Sequence, residues 1–217
     1  VDSPEYNNGI LALLPVRGLT ISAHGGLDQV QLRDDLPVPS LRSANDVRVR
    51  IRAAALNHLD LFLVAGLPGA AITPPWILGA DGSGVLDAVG EDVRGLAPGD
   101  RVIINPGISD RTCEYCRDGG QSLCVRFGIL RAHHPGTLAD YVVVPALNVR
   151  KIPASTPHGV AAAYGLATLT AWRMVVTRAR VTAGEQVLIW GIGGGVAVAA
   201  MQICKLLGAR RWVTSSD

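Results

Sequence analysis

An apolar run, Gln186-Val187-Leu188-Ile189-Trp190, leads directly into Gly191-Ile192-Gly193-Gly194-Gly195, followed by a stretch of helical period from about Val196 to Leu207. Arg211-Trp212-Val213-Thr214 then starts a second apolar strand. Strand, glycine turn, helix and strand in that order make a βαβ unit, and parallel strands need such a crossover because no tight turn can join them. The end of this chain is therefore expected to build a parallel sheet.

The preceding part reads differently. Val47-Arg48-Val49-Arg50-Ile51-Arg52 alternates strictly, as a strand with one wet face does. Ser83 to Gly90, Arg101-Val102-Ile103-Ile104 and Tyr141-Val142-Val143-Val144-Pro145 are further short strands, with a Pro-Gly-Asp turn at 98–100. Short strands at this spacing predict a closed or partly open barrel. From Gly159 to Thr177 the sequence is alanine-rich and helical in period. The expected division is a β-rich domain over residues 1–155 and the start of an α/β domain over 156–217. One βαβ unit cannot make a doubly wound domain, which needs two mononucleotide-binding halves. The second domain is thus expected to be incomplete, and a valine at position 1 suggests that residues are missing at the start as well.

Composition excludes several classes of partner. A net charge of +2 is too small for a nucleic-acid or anionic-membrane surface. No run of eighteen apolar residues is present to span a bilayer. The polar start Val-Asp-Ser-Pro-Glu carries no signal peptide, so the cytoplasm is the expected compartment. Clustered cysteines in that setting favour a metal or free thiols over disulfides.

Three of the four cysteines follow the spacing Asp110-x2-Cys113-x2-Cys116-x7-Cys124. Two short steps and a longer return let a small loop wrap a tetrahedral metal. Zinc takes thiolate or carboxylate ligands at about 2.0–2.3 Å. Three thiolates and one carboxylate would leave a formal charge of about −2, which Arg111 and Arg117 are placed to offset in part. The alternative is a lobe with three free thiols. Cys204, alone among apolar helix residues, reads as core, and the adjacent His133 and His134 read as loop residues.

The glycine run follows a strand and opens a helix, the place where a pyrophosphate meets backbone N–H groups. Gly191, Gly193, Gly194, Gly195 and Val196 are the candidate dinucleotide-binding residues, with Val196 in the slot of the third glycine. The alternative is an ordinary strand-to-helix turn.

Taken together, several stretches resemble the medium-chain dehydrogenase/reductase superfamily, the zinc-type alcohol dehydrogenase and quinone oxidoreductase group. They are A-A-L-N-H-L-D-L-F at 54–62, G-A-D-G-S-G-V at 79–85, P-G-D-R-V at 98–102, the cysteine lobe, G-T-L-A-D-Y-V-V-V-P at 136–145, A-T-L-T-A-W at 167–172 and the glycine loop. The resemblance implies a chaperonin-10-like (GroES-like) barrel followed by a Rossmann domain with the active site between them. It also implies a small-molecule substrate, a homo-oligomeric full-length protein, and a structural zinc in the lobe, here with Asp110 in the first ligand slot.

The same resemblance exposes departures. The slots that hold a catalytic zinc in relatives carry Asn57, Ala80 and a position near Leu166, while Leu59 replaces the hydroxyl of the proton relay and Asp81 stands in place of Glu. A catalytic zinc needs three protein ligands and an open position, so none is expected. Asn57-His58-Leu59-Asp60 instead looks like the zinc-free quinone oxidoreductase branch. Asn57 is then a candidate hydrogen-bond donor to substrate or nicotinamide ribose, His58 a candidate general acid, and Asp60 and Thr170 further site candidates. The structural alternatives are Asn57 and Asp60 capping a helix and Thr170 as a buried helix residue. Ser216 occupies the position where NAD enzymes of this type carry Asp, which favours NADP(H) over NAD(H). The expected function is hydride transfer to a quinone, enone or related carbonyl. A zinc-type alcohol dehydrogenase and a non-catalytic relative are the alternatives.

Overall fold

The valine–arginine alternation does what its period requires. Val47 and Val49 are fully buried, while Arg48 and Arg50 turn to the other face of the strand. Arg48 is not left in water alone: its Nε donates to Asp87 Oδ2 at 2.6 Å, and its guanidinium lies 5.8 Å from the Tyr141 ring centroid. The structure, a computed structural model, describes residues 15–215. The chain divides into two units, one ending at Ala163 and the other beginning at Tyr164.

In the first unit the strands are β1 (Val16–Ile21), β2 (Val30–Leu36), β3 (Asp46–Ala55), β4 (Trp76–Ile77), β5 (Asp81–Val89), β6 (Arg101–Ile104), β7 (Gly107–Ile108), β8 (Gly128–Ile129), β9 (Tyr141–Pro145) and β10 (Val149–Lys151). A five-stranded sheet runs in the order β10-β6-β5-β3-β9, and a three-stranded sheet in the order β2-β1-β4, all antiparallel. The two sheets are stitched by a bridge between Gly18 and Ala139 and by Leu19 N–H donating to Leu138 O at 2.8 Å. This is the partly open barrel expected from the short strands. Val47, Val49, Leu86, Val102, Ile104, Val142, Val144 and Val149 form its main core. A second cluster of Ile21, Leu63, Val64, Trp76 and Leu78 fixes helix α1 (His58–Ala65) beside the small sheet.

The end of this unit is held by polar contacts. Helix α3 (His158–Ala163) follows the short α2 (Glu114–Arg117) in chain order and packs on β3 and β5. Arg101 donates to the carbonyls of Pro153 at 3.0 Å and Thr156 at 2.6 Å, and its Nε lies 3.3 Å from His158 Nε2. His158 Nδ1 lies 2.8 Å from Ser83 Oγ, whose hydroxyl donates to Val102 O at 2.8 Å. With the serine proton committed to Val102, the consistent assignment is a neutral ring that donates from Nδ1 and accepts at Nε2. Burial lowers the pKa of His158, and the nearby Arg101 and Arg52 charges lower it further. The folded state therefore favours the neutral ring. The resulting stability is present above the ordinary histidine range, about pH 6.5, and is lost as pH falls below it. Thermal midpoints are expected to drop between pH 7.5 and 5, and His158→Gln is expected to drop less over the same interval.

In the second unit, α4 (Gly165–Trp172) continues into one π-helical stretch at Arg173–Arg178. The single helix expected over 159–177 is thus interrupted at Tyr164, where Gly165, lacking a side chain, weakens helical continuity. Periodicity cannot register a one-residue break. Strands β11 (Gln186–Ile189) and β12 (Arg210–Val213) pair in parallel, and α5 (Gly195–Leu206) connects them. Ala199, Ala200, Ile203 and Cys204 of α5 pack with Ile189, Ala171 and Val175. Cys204 is fully buried, and burial pushes its thiol pKa up, in keeping with a core role. Leu188, Trp190 and Trp212 remain more than half exposed.

Candidate functional site

The cysteine lobe is an excursion from the two-stranded β7–β8 sheet, where Gly107 pairs with Ile129 and Ile108 with Gly128. That pairing brings Asp110, just past β7, near Cys124, just before β8. Cys113 stands at the N-cap of α2 and Cys116 one turn later, the i, i+3 spacing that shares a helix face. One donor atom from each of Asp110, Cys113, Cys116 and Cys124 lies within 4.8 Å of the other three. Ligands of a tetrahedral zinc at about 2.3 Å would stand about 3.8 Å apart, so a small contraction closes the set. No cysteine is in a disulfide.

The electrostatics of the lobe also fit a cation. Asp110 Oδ1 accepts from Cys113 N–H at 3.0 Å and from Thr112 N–H at 2.8 Å, and Oδ2 pairs with Arg126 Nε at 3.0 Å. These contacts, the two backbone bonds first, hold its carboxyl well below the usual carboxylate range. Cys124 Sγ accepts the N–H groups of Asp110 at 3.4 Å and Arg126 at 3.3 Å. Burial pushes the Cys116 thiol up to about 11, and hydrogen bonding with Cys113 and Cys124 pushes in the same direction. Burial also raises Cys113, but the N–H groups of Cys116 and Val125 and the neighbouring sulfurs outweigh it and lower the thiol. Three sulfurs this close cannot all carry a proton-free charge unaided, and a bound cation removes that conflict. The arginine that pairs with Asp110 is Arg126. It lies sixteen residues from Asp110 in sequence, so it is not among the near neighbours Arg111 and Arg117 that the spacing suggests.

A second polar cluster surrounds Asn57. Asn57 is the N-cap of α1 in extended backbone conformation, and its N–H donates to Asp60 Oδ2 at 2.7 Å. Its side-chain Nδ2 donates to Asp81 Oδ2 at 2.9 Å. Asp60 is 5% exposed and Asp81 1%. Beside them Arg131, fully buried, places Nε 3.3 Å from Asp60 Oδ1. Asn57 itself is only half-buried, so one amide N–H beyond the Asp81 bond is free to meet a ligand. Ala80 is fully buried and offers no donor. His58 is exposed on the first turn of α1.

The remaining candidates lie in the second unit. Thr170 is an exposed residue of α4, where a buried position was the structural alternative, and its hydroxyl donates back to Leu166 O at 2.8 Å. Gly191 has φ +70°, a left-handed turn that suits glycine, and Gly194 caps α5. A side chain at Gly193 would meet nothing within 4 Å, so the space over the loop is open to a ligand. Gly195 and Val196 form the first turn of the twelve-residue α5, whose N–H groups and dipole suit a phosphate. Gly191 N–H donates to Thr214 Oγ1 at 3.3 Å and Ile192 N–H to Thr214 O at 2.9 Å, which ties the loop to the end of β12. Ser216 lies outside the described residues.

The alcohol dehydrogenase GroES-like domain family matches residues 43–154, just over half of the chain. L-threonine 3-dehydrogenase of Anaeromyxobacter sp. (strain Fw109-5) is 37% identical over 186 residues, covering 83% of this chain and 52% of that protein. A crystal structure of an NAD-dependent alcohol dehydrogenase superposes with a TM-score of 0.88 at 47% identity, covering 93% of this chain and 58% of that one. The cobalt- and zinc-bound thermostable alcohol dehydrogenase from Pyrobaculum aerophilum superposes with a TM-score of 0.84 at 30% identity, covering 93% and 60%. The chain spans about half the length of the curated relatives it matches. With its barrel, its βαβ unit and a family match over more than half its residues, the chain belongs to the alcohol dehydrogenase GroES-like family of the medium-chain dehydrogenase/reductase superfamily.

Proposed function

We propose that this chain is part of an NAD(P)-dependent oxidoreductase that passes hydride to a quinone, enone or related carbonyl without a catalytic zinc. Residues 1–155 serve as the catalytic domain and 156–217 begin the nucleotide-binding domain. The observation that carries this reading is Asn57: an amide occupies the position of a metal-binding cysteine, and Asp81 holds it in one orientation at 2.9 Å. The neighbouring Ala80 has no donor atom. An oriented amide N–H stabilises charge developing on a carbonyl oxygen, which is what a conjugated acceptor requires. Reduced nicotinamide, when bound, supplies the hydride. The chain contributes the open glycine loop and the helix N-terminus for the pyrophosphate, and Asn57 for the acceptor oxygen. Ser216 supports a preference for NADP(H). Structural zinc held by Asp110, Cys113, Cys116 and Cys124 keeps the lobe in shape and takes no part in the chemistry.

The names of the relatives favour a second reading, alcohol oxidation with NAD, because a 47%-identical structure is that of an NAD-dependent alcohol dehydrogenase. Assays of the full-length protein separate the two. NADPH consumption with a panel of quinones and enones, insensitive to chelator, is the expected result. NAD reduction by simple alcohols that a chelator abolishes would establish the second reading instead. Nucleotide binding without turnover on any acceptor would leave a non-catalytic relative. Fluorescence titration is expected to show tighter binding of NADPH than NADH.

A further inference from the structure

We propose that Arg131 is the internal counter-charge of Asp60 and Asp81 and, through those two carboxylates, the residue that positions the Asn57 amide. Arg131 is the largest fully buried side chain among the described residues. Its backbone sits at φ +69°, a region that side chains other than glycine rarely adopt. Two hydrogen bonds hold it there: Arg131 N–H donates to His134 O at 2.6 Å, and Arg131 O accepts from Trp76 Nε1. The turn thus directs a guanidinium into the interior, where an uncompensated charge is costly.

The compensation comes from two elements. Asp60 belongs to α1, with Oδ1 3.3 Å from Arg131 Nε, and Asp81 opens β5. Burial lowers the Arg131 pKa, and the charges of Asp60 and then Asp81 act against that fall. None of the three guanidinium nitrogens makes an aligned hydrogen bond to protein. The interaction is one of charge rather than of a fixed fork, so a lysine ammonium can replace it. The two carboxylates whose charges act on Arg131 are also the two that grip Asn57, one at its main-chain N–H and one at its side-chain amide. Without the cation, two carboxylates remain buried together with no opposing charge, and their mutual repulsion would loosen the grip on Asn57. The counter-charge stands on the Arg131–Asp60 contact and on the burial of all three groups; its bearing on catalysis rests on the reading of Asn57 given above.

The test uses the full-length protein as Arg131→Lys, Arg131→Met and the triple variant Arg131→Met/Asp60→Asn/Asp81→Asn. Thermal midpoints are compared with the parent at one pH. Arg131→Met, which leaves the two carboxylates buried without a cation, is expected to lose the most. Arg131→Lys and the triple variant are expected to lose clearly less. In protein labelled with 15N-asparagine, the Asn57 side-chain signal is identified by its loss in Asn57→Ser. Exchange of its bound amide proton is expected to rise at least about tenfold in Arg131→Met and to stay unchanged in Arg131→Lys. A loss of stability in the triple variant as large as in Arg131→Met, or unchanged exchange in Arg131→Met, would overturn the proposal. If Arg131→Met does not fold, a folded triple variant supports it and an unfolded one overturns it. Absence of turnover in the parent would sink the oxidoreductase reading without moving either readout.

Discussion

Full-length protein purified without chelator is expected to carry about one zinc per chain, and Cys116→Ser and Cys124→Ser to carry less than about a tenth of that. Both cysteines are 6% exposed, so either substitution leaves an incomplete donor set in a site that solvent hardly enters. Changes just outside a metal's ligand shell commonly weaken affinity by about 10–100-fold, and loss of a ligand should exceed that. Asp110 makes a finer test. Asp110→Asn keeps an acceptor for the Thr112 and Cys113 N–H groups but removes the charge that pairs with Arg126 and that a bound metal would share. Its zinc should be retained at neutral pH and lost to a chelator sooner than in the parent. Acidification should release zinc from all variants, because protons compete for the thiolates. Zinc below about 0.2 per chain after metal-supplemented refolding would mean that the lobe holds free thiols.

In the same full-length protein, Asn57→Ala is expected to lower kcat about 10²–10³-fold, the usual effect of deleting one donor to a developing oxyanion. The substitution also removes a helix cap, which costs about 1 kcal/mol of stability. Asn57→Ser separates the two effects, since serine caps α1 but cannot reproduce the amide. It should restore the thermal midpoint and leave kcat low. His58→Ala and Thr170→Ala should each change kcat by less than about threefold. His58 is exposed, and the Thr170 hydroxyl is bound to its own helix at Leu166 O. A full loss of activity in Thr170→Ala with Asn57→Ala unaffected would move the donor role to α4.

Patterns set by short-range sterics were legible from the residues. The valine alternation gave β3, the proline-glycine-aspartate turn separated β5 from β6, and the apolar run before Gly191 gave β11. All three depend on neighbours within a few residues. Cys204 was legible as core for the same reason. The break at Tyr164 was not, because an alanine-rich stretch keeps its helical period across a one-residue interruption.

The chain's own order of residues determined the short strands and the βαβ unit, the spacing of the cysteine lobe and the presence of Asn57 and Ala80 where the family resemblance expects metal ligands, since each is a local pattern. Only the tertiary structure decided which charges meet. Arg126 reaches Asp110 across sixteen residues, His158 reaches Ser83 across seventy-five, and Arg131 enters the interior beside Asp60. A buried charge looks the same in sequence as a solvated one. Its cost, and therefore its role, is set by the partners that folding brings within a few ångströms.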